Sequence, residues 1–335
     1  CCTQNGIRGG SATVHFPIWH QEIEDIIVLK NNKGTEDNRV RKLDYSIQIS
    51  KLFYERFIQD GEISLFSPHD VPGLYDAFGT DRFDDLYVGF ERDESVPRKT
   101  IGAQKLILDL LKERAETGRV YIMNIDHCNS HSSFKDKVNM SNLCQEITLP
   151  TKPLQHIDDP NGEIALCILS AVNVGKIRDL EDLQVLCDLA VRSLDELIDF
   201  QNYPIRAAEI ATKARRSLGV GYIGLAHYLA KNNVRYGDSD AWKFVHDLTE
   251  AFQYYLIRAT VDLAKEKGAC EYSSRTKYGN GILPIDTYKK EVDEIVSNEL
   301  HYDWEDLRAQ VLEHGVRNST LSAQMPSESS SVVSN

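Results

Sequence analysis

Positive charge is in short supply in this sequence. Its 38 Lys and Arg residues face 51 Asp and Glu residues, which gives a net charge of −13 over 335 residues. Broad binding to nucleic acid or to an anionic membrane needs a positive surface, so this balance argues against both partners. No apolar run approaches the roughly 20 residues of a membrane span, and no basic segment followed by an apolar core opens the chain. We therefore expect a cytoplasmic protein.

Cysteine is sparse as well, and its spacing excludes several classes of protein. The seven cysteines are scattered and form no C-x-x-C pair, which argues against a disulfide scaffold, a zinc finger and a thioredoxin-like motif. Cys187 and Cys270 have no neighbouring chemistry that distinguishes them from small apolar core residues, and the same holds for Cys1 and Cys2. We expect mostly reduced thiols.

Two local patterns resemble binding sites but lack essential parts. His127, Cys128 and His131 have the spacing of metal ligands, yet no fourth ligand is apparent. The segment G-I-R-G-G at 6–10 is rich in glycine, but it has neither the G-x-G-x-x-G spacing nor the strand and helix of a dinucleotide site. We therefore predict that this chain holds no metal and no cofactor of its own.

The composition is that of a folded protein with alternating strands and helices. With 41% hydrophobic and 27% charged residues, the chain is long enough for one large or two ordinary domains. Strand-like segments fall at 11–19, 44–50, 63–68 and 119–125.

A helix is predicted over 101–117 and ends at Gly118. Its predicted apolar face consists of Ile101, Leu106, Leu108, Leu110 and Leu111. Because a strand-like segment follows directly, the pair indicates half of a βαβ unit.

The second half of the chain indicates one buried strand followed by helices. The segment G-E-I-A-L-C-I-L-S-A-V-N at 162–173 is a nearly continuous apolar run, typical of a parallel strand buried on both faces. Helices are predicted at 180–200, 205–216, 222–231 and 240–267. Tyr254 and Tyr255 lie in the last of these helices, and we predict that they are packing residues.

The most informative segment is S-N-L-C-Q-E-I at 141–147, which sets an amide, a thiol and a carboxylate two residues apart at Asn142, Cys144 and Glu146. In an extended chain these side chains would project from one side, with neighbours roughly 6.6 Å apart. A nearby carboxylate opposes ionisation of a thiol, and a neutral thiol beside a base suits hydrogen-atom chemistry better than ionic attack. The alternative is a small buried cysteine in a loop whose Asn and Glu are solvated.

Seven segments, in order along the chain, closely resemble the large catalytic subunit of class I ribonucleotide reductase of the bacterial and phage type. They are N-G-I-R-G-G-S-A-T (5–13), L-F-S-P-H-D-V-P-G-L-Y-D-A-F (65–78), N-I-D-H-C-N-S-H (124–131), S-N-L-C-Q-E-I-T-L-P-T-K-P-L (141–154), G-E-I-A-L-C-I-L-S (162–170), G-I-L-P-I-D-T-Y-K-K (281–290) and R-N-S-T-L-S-A-Q-M-P-S-E-S-S-S (317–331). The resemblance covers virtually the whole chain.

The resemblance implies an α/β fold, specifically a ten-stranded α/β barrel made of two five-stranded parallel halves with a central finger loop. Residues 1–335 would form a single catalytic domain that is incomplete at both ends. The finger loop region would occupy 124–150, and a mainly helical outer segment would occupy 175–270. Uncovered strand edges would make the isolated chain prone to association.

The resemblance also implies thiyl-radical reduction of ribonucleoside diphosphates to 2'-deoxyribonucleotides, the precursors of DNA. Cys144 at the fingertip would remove the 3' hydrogen of the ribose, and Glu146 would be the base that takes the 3'-hydroxyl proton. Asn142 would hydrogen-bond the same edge of the sugar. Cys167 would be one of two thiols that reduce the 2' position, and its partner cysteine would lie upstream of Cys1.

Two loops are candidates for binding substrate. Hydroxyls and backbone N–H groups ahead of a helix bind anions, so the loop at 325–331 is expected to hold the substrate diphosphate, although a Ser-rich capping segment would have the same composition. The candidate residues of this phosphate loop are Pro326, Ser327, Glu328, Ser329 and Ser330. The loop from Thr35 to Arg41 resembles the flexible loop by which an effector nucleotide dictates the accepted base, and Arg39 is the candidate for contacting substrate there.

Other parts of the implied enzyme are not found in this sequence. They include the N-terminal region that senses ATP and dATP, the relay tyrosines and a C-terminal cysteine pair that thioredoxin or glutaredoxin reduces. A small subunit with a dimetal/tyrosyl cofactor would supply the radical, and the complete large subunit would be a homodimer. We expect this chain to be inactive alone.

Two rival classes fit part of the pattern. A glycyl radical enzyme shares a barrel with a fingertip cysteine, but its C-terminal R-V-S-G-Y-type loop does not occur here. A noncatalytic or split-subunit partner chain could complete a reductase barrel. Intact Asn142, Cys144, Glu146 and Cys167 argue against the noncatalytic form.

Overall fold

The computed structural model describes residues 3–4, 6–296 and 299–334 and divides the chain into two compact units. Unit 1 comprises residues 1–132 and 138–148, and unit 2 comprises residues 133–137 and 149–335. Each unit contains helices and parallel strands, which confirms the predicted α/β class. The prediction of a single domain with a finger region and an outer helical segment stays a prediction.

Strands and helices alternate along unit 1. Its strands are β1 (Thr3–Gln4), β2 (Arg8–Gly9), β3 (Thr13–Pro17), β4 (Asp44–Ile49), β5 (Glu62–Leu65), β6 (Lys99–Gly102) and β7 (Val120–Asn124). Its α-helices are α1 (Ile23–Ile27), α2 (Lys51–Ile58), α3 (Leu74–Ala77), α4 (Phe83–Arg92), α5 (Ala103–Thr117) and α6 (Ile125–Ser130), and a 3₁₀ turn covers Glu36–Asn38.

A parallel sheet of order β3-β4-β7 forms the framework of unit 1. In its register, Ile47 of β4 lies between Phe16 of β3 and Ile122 of β7. Every residue of β4 is buried, as expected for the middle of a covered parallel sheet. These three strands confirm the predictions at 11–19, 44–50 and 119–125. The strand predicted at 63–68 is also present, as β5, but it pairs antiparallel with β6 outside this sheet.

Helix α5 confirms the helix predicted over 101–117, and Gly118 ends it with a φ of 65°. Part of the predicted apolar face was wrong, because Leu108 and Leu111 are 55% and 41% exposed. The buried apolar residues lie three, four and seven positions after the first of them and are Ala103, Leu106, Ile107 and Leu110.

Unit 2 is mainly helical around one pair of parallel strands. Its strands are β8 (Ile168–Asn173) and β9 (Leu218–Ile223). Its α-helices are α7 (Asp182–Phe200), α8 (Arg206–Arg215), α9 (Leu225–Lys231), α10 (Ser239–Lys267), α11 (Pro284–Thr287), α12 (Trp304–His314) and α13 (Glu328–Ser334). Its 3₁₀ turns are Val174–Lys176, Ser273–Arg275, Tyr278–Asn280 and Lys290–Glu294. None of the helices in the described part of the chain is long and apolar enough to cross a lipid bilayer.

The strand predicted at 162–173 is only half correct, because β8 begins at Ile168. Leu169 is 37% exposed, so the prediction of burial on both faces was also wrong. Strand β9 was not predicted, since two glycines interrupt its apolar pattern. One of them, Gly221, is required by packing: a Cβ there would lie 2.4 Å from the carbonyl oxygen of Ala323.

The four predicted helices of this half are α7 to α10, and α7 packs against α10. Tyr254 and Tyr255 are buried in the core of unit 2, which confirms that they are packing residues. Cys187 and Cys270 are also buried, as predicted for small apolar core residues. Cys1 and Cys2 lie outside the described residues.

An aromatic cluster fills the core of unit 1. Phe53 on α2 meets Phe78, Phe83 and Tyr87 with ring centroids 6.3, 5.9 and 5.3 Å away, in edge or tilted arrangements that aromatic pairs prefer. The Tyr87 hydroxyl donates to the backbone oxygen of Ser64 at 2.7 Å, so its polar atom is satisfied inside the core.

Replacing Phe53 by Ala should destabilise the chain by about 3–5 kcal/mol, because a fully buried ring is removed and its neighbours cannot close the cavity. The measurement is the free energy of unfolding in urea. Ile58→Ala is the matched control on the same helix. Ile58 is 79% exposed, and its loss should change the free energy by less than about 0.5 kcal/mol. Equal effects of the two variants would contradict this core assignment.

Candidate functional site

The segment S-N-L-C-Q-E-I forms a tight turn. Leu143 and Cys144 occupy the turn, and Gln145 has a φ of 63°, in the left-handed region. Asn142 closes the loop at both ends, since its backbone oxygen accepts from the Gln145 N–H at 3.2 Å and its N–H donates to the Ile147 oxygen at 3.4 Å. The predicted extended conformation with side chains at period two was therefore wrong, because these hydrogen bonds reverse the chain.

Asn142 acts within this turn through its side chain as well. Its Oδ1 atom accepts from the Ile147 N–H at 3.4 Å and lies 3.3 Å from the Ser141 hydroxyl. The Ser141 hydroxyl also donates to the Ile147 oxygen at 2.8 Å. Asn142, Cys144 and Glu146 are thus brought together on one short, closed loop.

Polar side chains on the sheet of unit 1 hold this loop. The Thr13 hydroxyl on β3 donates to the Leu143 oxygen at 2.7 Å, and the Gln48 amide on β4 donates to the Asn139 oxygen at 2.5 Å. His15 lies against the Ser141 backbone, and burial lowers the pKa of its imidazole. Thr13 and His15 project from one face of β3, because side chains two apart in a strand share a face.

Gln145 provides the contact that spans two strands. Its Nε2 donates to the Ile122 backbone oxygen on β7 at 2.7 Å, and its Oε1 accepts from the Ser46 hydroxyl on β4 at 3.1 Å. Sequence reasoning did not identify Gln145 or Ser46 as site residues. The sequence feature that could have identified Ser46 is the alternation D-Y-S-I-Q-I-S at 44–50, which sets a polar face on a strand with no exposed residue.

Two reactive groups flank Gln145. Cys144 is exposed, whereas the Oε2 atom of Glu146 is buried and has no hydrogen-bond partner among the described residues. A buried carboxylate oxygen without a partner is costly, which points to a ligand as its partner. Tyr121 on β7 lies nearby: burial raises the pKa of its phenol, and the acidic groups of Asp44, Cys144 and Glu146 raise it further.

In unit 2, Cys167 is partly exposed and immediately precedes β8. Ile168 pairs with Leu218 of β9, and the Leu218 N–H donates to the Thr320 oxygen at 3.0 Å. The chain segments at Ile168, Leu218 and Thr320 therefore run side by side. The Ser217 and Ser319 hydroxyls, one residue before those contacts, lie 3.0 Å apart.

A buried ion-pair network fixes the backbone that leads to Cys167. Glu163 accepts two hydrogen bonds from Arg215, at 2.7 and 3.0 Å, and pairs with Lys152 at 2.7 Å. Arg215 also reaches Asp136 at 2.9 Å, and its side chain is only 3% exposed. Burial alone would raise the pKa of Glu163, but Lys152 and Arg215 hold it below its usual range.

This network predicts how stability depends on pH. Because the folded-state pKa of Glu163 lies below its unfolded value, its contribution to stability is present above the unfolded pKa and is lost as pH falls through the folded one. The free energy of unfolding should therefore fall between about pH 5 and pH 3. Glu163→Gln should cost about 3 kcal/mol at pH 7, because it leaves the Arg215 charge undercompensated, and should flatten this pH dependence.

The matched control for Glu163→Gln is Glu209→Gln, which breaks the exposed pair of Glu209 with Lys213. Exposed pairs contribute about 0–1 kcal/mol, so this variant should retain both stability and pH profile. A profile for Glu163→Gln identical to that of the parent chain would contradict the assigned role of the network.

The predicted phosphate loop follows a segment that lies beside β9. The Val220 N–H donates to the Leu321 oxygen at 2.8 Å, and the Ala323 N–H returns to the Val220 oxygen at 3.2 Å. A helix is present as α13, but it begins at Glu328, so the predicted loop bounds were wrong and residues 328–331 lie in this helix. Ser329 and Ser330 are exposed, and both the N–H and the hydroxyl of Ser331 donate to the Ser327 oxygen at 2.7 Å.

Pro326 immediately precedes Ser327 in this loop and is exposed, as is Glu328. In the strand register, Ser319 lies at the same level as Cys167. The loop begins at Met325, six residues after Ser319. Binding of phosphate by the loop stays a prediction.

The loop around Arg39 is folded onto itself. The Arg39 guanidinium donates to the Asn38 oxygen at 2.7 Å and lies over Gly34, where an added Cβ would approach it to 3.1 Å. Arg41 pairs with Glu36 and donates to the Asn31 oxygen at 3.0 Å. The role of Arg39 in contacting substrate stays a prediction.

The residues with metal-like spacing do not form a ligand cluster. The rings of His127 and His131 pack edge to face with centroids 5.5 Å apart. Burial, with the nearby charge of Asp126, raises the pKa of the Cys128 thiol to about 11, which disfavours the thiolate that a metal would need. Within 3–4, 6–296 and 299–334, no group of three His, Cys, Asp or Glu side chains could hold a metal ion.

Comparison with known proteins gives consistent matches over the whole chain. The family model described as ribonucleotide reductase, barrel domain, matches residues 1–335. The ribonucleoside-diphosphate reductase subunit alpha of Haemophilus influenzae is 58% identical over 339 residues, covering 100% of the chain and 45% of the relative. The ribonucleoside-diphosphate reductase 1 subunit alpha of Escherichia coli is 54% identical, covering 100% of the chain and 44% of the relative. The ribonucleoside-diphosphate reductase subunit alpha of Enterobacteria phage T4 is 45% identical, covering 100% of the chain and 45% of the relative. The chain thus spans less than half the length of these relatives.

Proposed function

Because the chain belongs to the ribonucleotide reductase family, we propose that it carries the thiyl-radical chemistry of a class I ribonucleoside-diphosphate reductase. The substrate is a ribonucleoside diphosphate, and the product is the 2'-deoxyribonucleotide used for DNA synthesis. The observation that supports this most directly is the closed turn of unit 1, which presents an exposed thiol two residues from a carboxylate oxygen that has no hydrogen-bond partner among the described residues.

The proposed reaction begins at Cys144. As a thiyl radical it takes the 3' hydrogen of the ribose, forming an S–H bond and leaving a carbon radical at C3'. Glu146 accepts the 3'-hydroxyl proton, for which its buried Oε2 is available. Asn142 hydrogen-bonds the same edge of the sugar in this proposal, although in the structure its Oδ1 serves the turn.

Reduction at the 2' position completes the proposed reaction. The C2'–O bond breaks and releases water, a C2'–H bond forms, and two thiols supply the two electrons and become a disulfide. Cys167 is one of these thiols. At the end of the cycle, the S–H bond of Cys144 breaks as its hydrogen atom returns to C3', which regenerates the thiyl radical, and Glu146 returns its proton to the 3' oxygen.

The proposal includes the finer features of the fold and the partners. The fold is a ten-stranded barrel of two parallel halves. The partners are a small subunit that supplies the radical from a dimetal/tyrosyl cofactor, a thioredoxin or glutaredoxin that reduces the disulfide, and a second alpha subunit in a homodimer. ATP and deoxynucleotide effectors act on the complete subunit, which works in the cytoplasm. The loop at 325–331 holds the diphosphate, and Arg39 contacts substrate.

The test is a chimera in which residues 1–335 replace the matching region of a full-length bacterial alpha subunit, assayed with that subunit's small subunit and a dithiol. We expect conversion of CDP to dCDP. Cys144→Ser should reduce turnover to background, because an O–H bond is not formed and broken reversibly in this way. Glu146→Gln should lower kcat by about 10²–10⁴-fold, as expected for loss of a general base.

Cys187→Ser is the matched control for Cys144→Ser, since Cys187 is a buried thiol in the helical core of unit 2. It should retain catalysis in whatever fraction of the protein folds. Full complex formation without turnover in the unmutated chimera would contradict the proposal and favour a noncatalytic partner chain.

A further inference from the structure

We propose that Gln145 is a positioning residue, which rests on the proposed function: it fixes the turn between Cys144 and Glu146 by tying it to two adjacent strands of unit 1. Three observations support this role. The Gln145 side chain bridges β4 and β7, its backbone has a left-handed conformation, and the sheet is polar where it meets the turn. Gln145 is not assigned to contact substrate.

The bridge is specific to an amide of this length. The Ile122 oxygen can only accept, so the Gln145 atom 2.7 Å away must be the Nε2 donor, and the Oε1 atom then faces the Ser46 hydroxyl at 3.1 Å. Both ends of the amide are thereby satisfied. Asn has the same amide but is one methylene shorter, and Leu has the same size but neither donor nor acceptor.

The backbone at Gln145 explains why the turn needs a tether. Its φ of 63° is uncommon for a residue with a side chain, and its cost must be offset by surrounding contacts. The same residue donates its N–H to the Asn142 oxygen at 3.2 Å, so side-chain and main-chain contacts restrain one short segment.

The position of Gln145 between Cys144 and Glu146 explains how it would affect the reaction. Cys144 and Glu146 are the immediate neighbours of Gln145, so rotation about its backbone would move the thiol and the carboxylate relative to each other. Hydrogen transfer and proton transfer both require close, fixed geometry, and a misplacement of about 1 Å can cost about 10²-fold in rate. Gln145 would therefore affect the rate of the chemical step and leave substrate binding unchanged.

The experiment combines two readouts on Gln145→Leu, Gln145→Asn and Ser46→Ala. In the chimera with its small subunit, we expect Gln145→Leu and Gln145→Asn to lower kcat by about 10–100-fold with KM unchanged. The thermal midpoint should fall only slightly, because two hydrogen bonds are lost or weakened. Ser46→Ala should have a smaller effect. In the Gln145→Leu background, adding Ser46→Ala should lower kcat little further, because the hydrogen bond between the two side chains is already lost.

The second readout is hydrogen exchange of the turn, measured by mass spectrometry on the chain itself and independent of turnover. The N–H groups of Gln145 and Ile147, both hydrogen-bonded within the turn, should exchange about tenfold faster in Gln145→Leu, while β4 and β7 exchange as in the parent. Gln104→Leu is the matched control, since Gln104 is exposed and its amide donates to the Phe57 oxygen at 3.3 Å. It should change neither readout.

The outcomes separate this inference from the proposed function. Unchanged kcat in Gln145→Leu would overturn the positioning role, and so would a fall in kcat without faster exchange of the turn, since Gln145 would then act on substrate directly. If the unmutated chimera is inactive, the proposed function fails. Hydrogen exchange still decides whether Gln145 holds the turn: unchanged exchange overturns the inference, and faster exchange supports it.

Discussion

A polar group that leaves water must find a hydrogen-bond partner, and this requirement organises the site of unit 1. Strand β4 has no exposed residue, yet it carries Ser46 and Gln48. Neighbouring strands already use the backbone groups of the sheet, so these side chains need partners from another segment. The loop at 139–147 supplies them through the side-chain amide of Gln145 and the main-chain oxygen of Asn139. The Ser46 hydroxyl and the Gln48 Nε2 are thus satisfied by the loop, and a wholly apolar strand would not hold the loop in this way.

The sequence predicted the framework better than the details of the site. The strands at 44–50 and 119–125 and the helix ending at Gly118 follow from local patterns of apolar residues and turn formers, so their positions are confirmed. The turn at 141–147 could not be predicted in the same way. Its conformation depends on hydrogen bonds from Thr13 and Ser46, which are about 100 residues or more away in sequence. Local alternation favoured an extended segment because it contains no information about such contacts.

The same limit explains the errors in unit 2. The apolar run at 162–173 was interpreted as a strand throughout, but Glu163 within it is committed to Lys152 and Arg215, and regular pairing begins only at Ile168. Strand β9 has Gly221 where a strand pattern would have a side chain, because the segment after Thr320 approaches too closely for a Cβ there. A charged partner and a close backbone approach are properties of the assembled structure, and neither appears in a short window of sequence.

The division of the chain into units has a consequence for the order in which the protein forms during synthesis. Residues 133–137 belong to unit 2 although residues on both sides of them belong to unit 1. Asp136 forms ion pairs with Arg215 and Arg275, which are synthesised later. The Ser133 hydroxyl donates to the backbone oxygen of Ser319, 186 residues later. The last residue of unit 1 has emerged once residue 148 has left the ribosome, whereas Asp136 and Ser133 cannot pair until Arg215 and Ser319 have followed. An arrest of translation between those points would leave the segment at 133–137 with polar groups, such as the Ser133 hydroxyl, whose partners in unit 2 have not yet been synthesised.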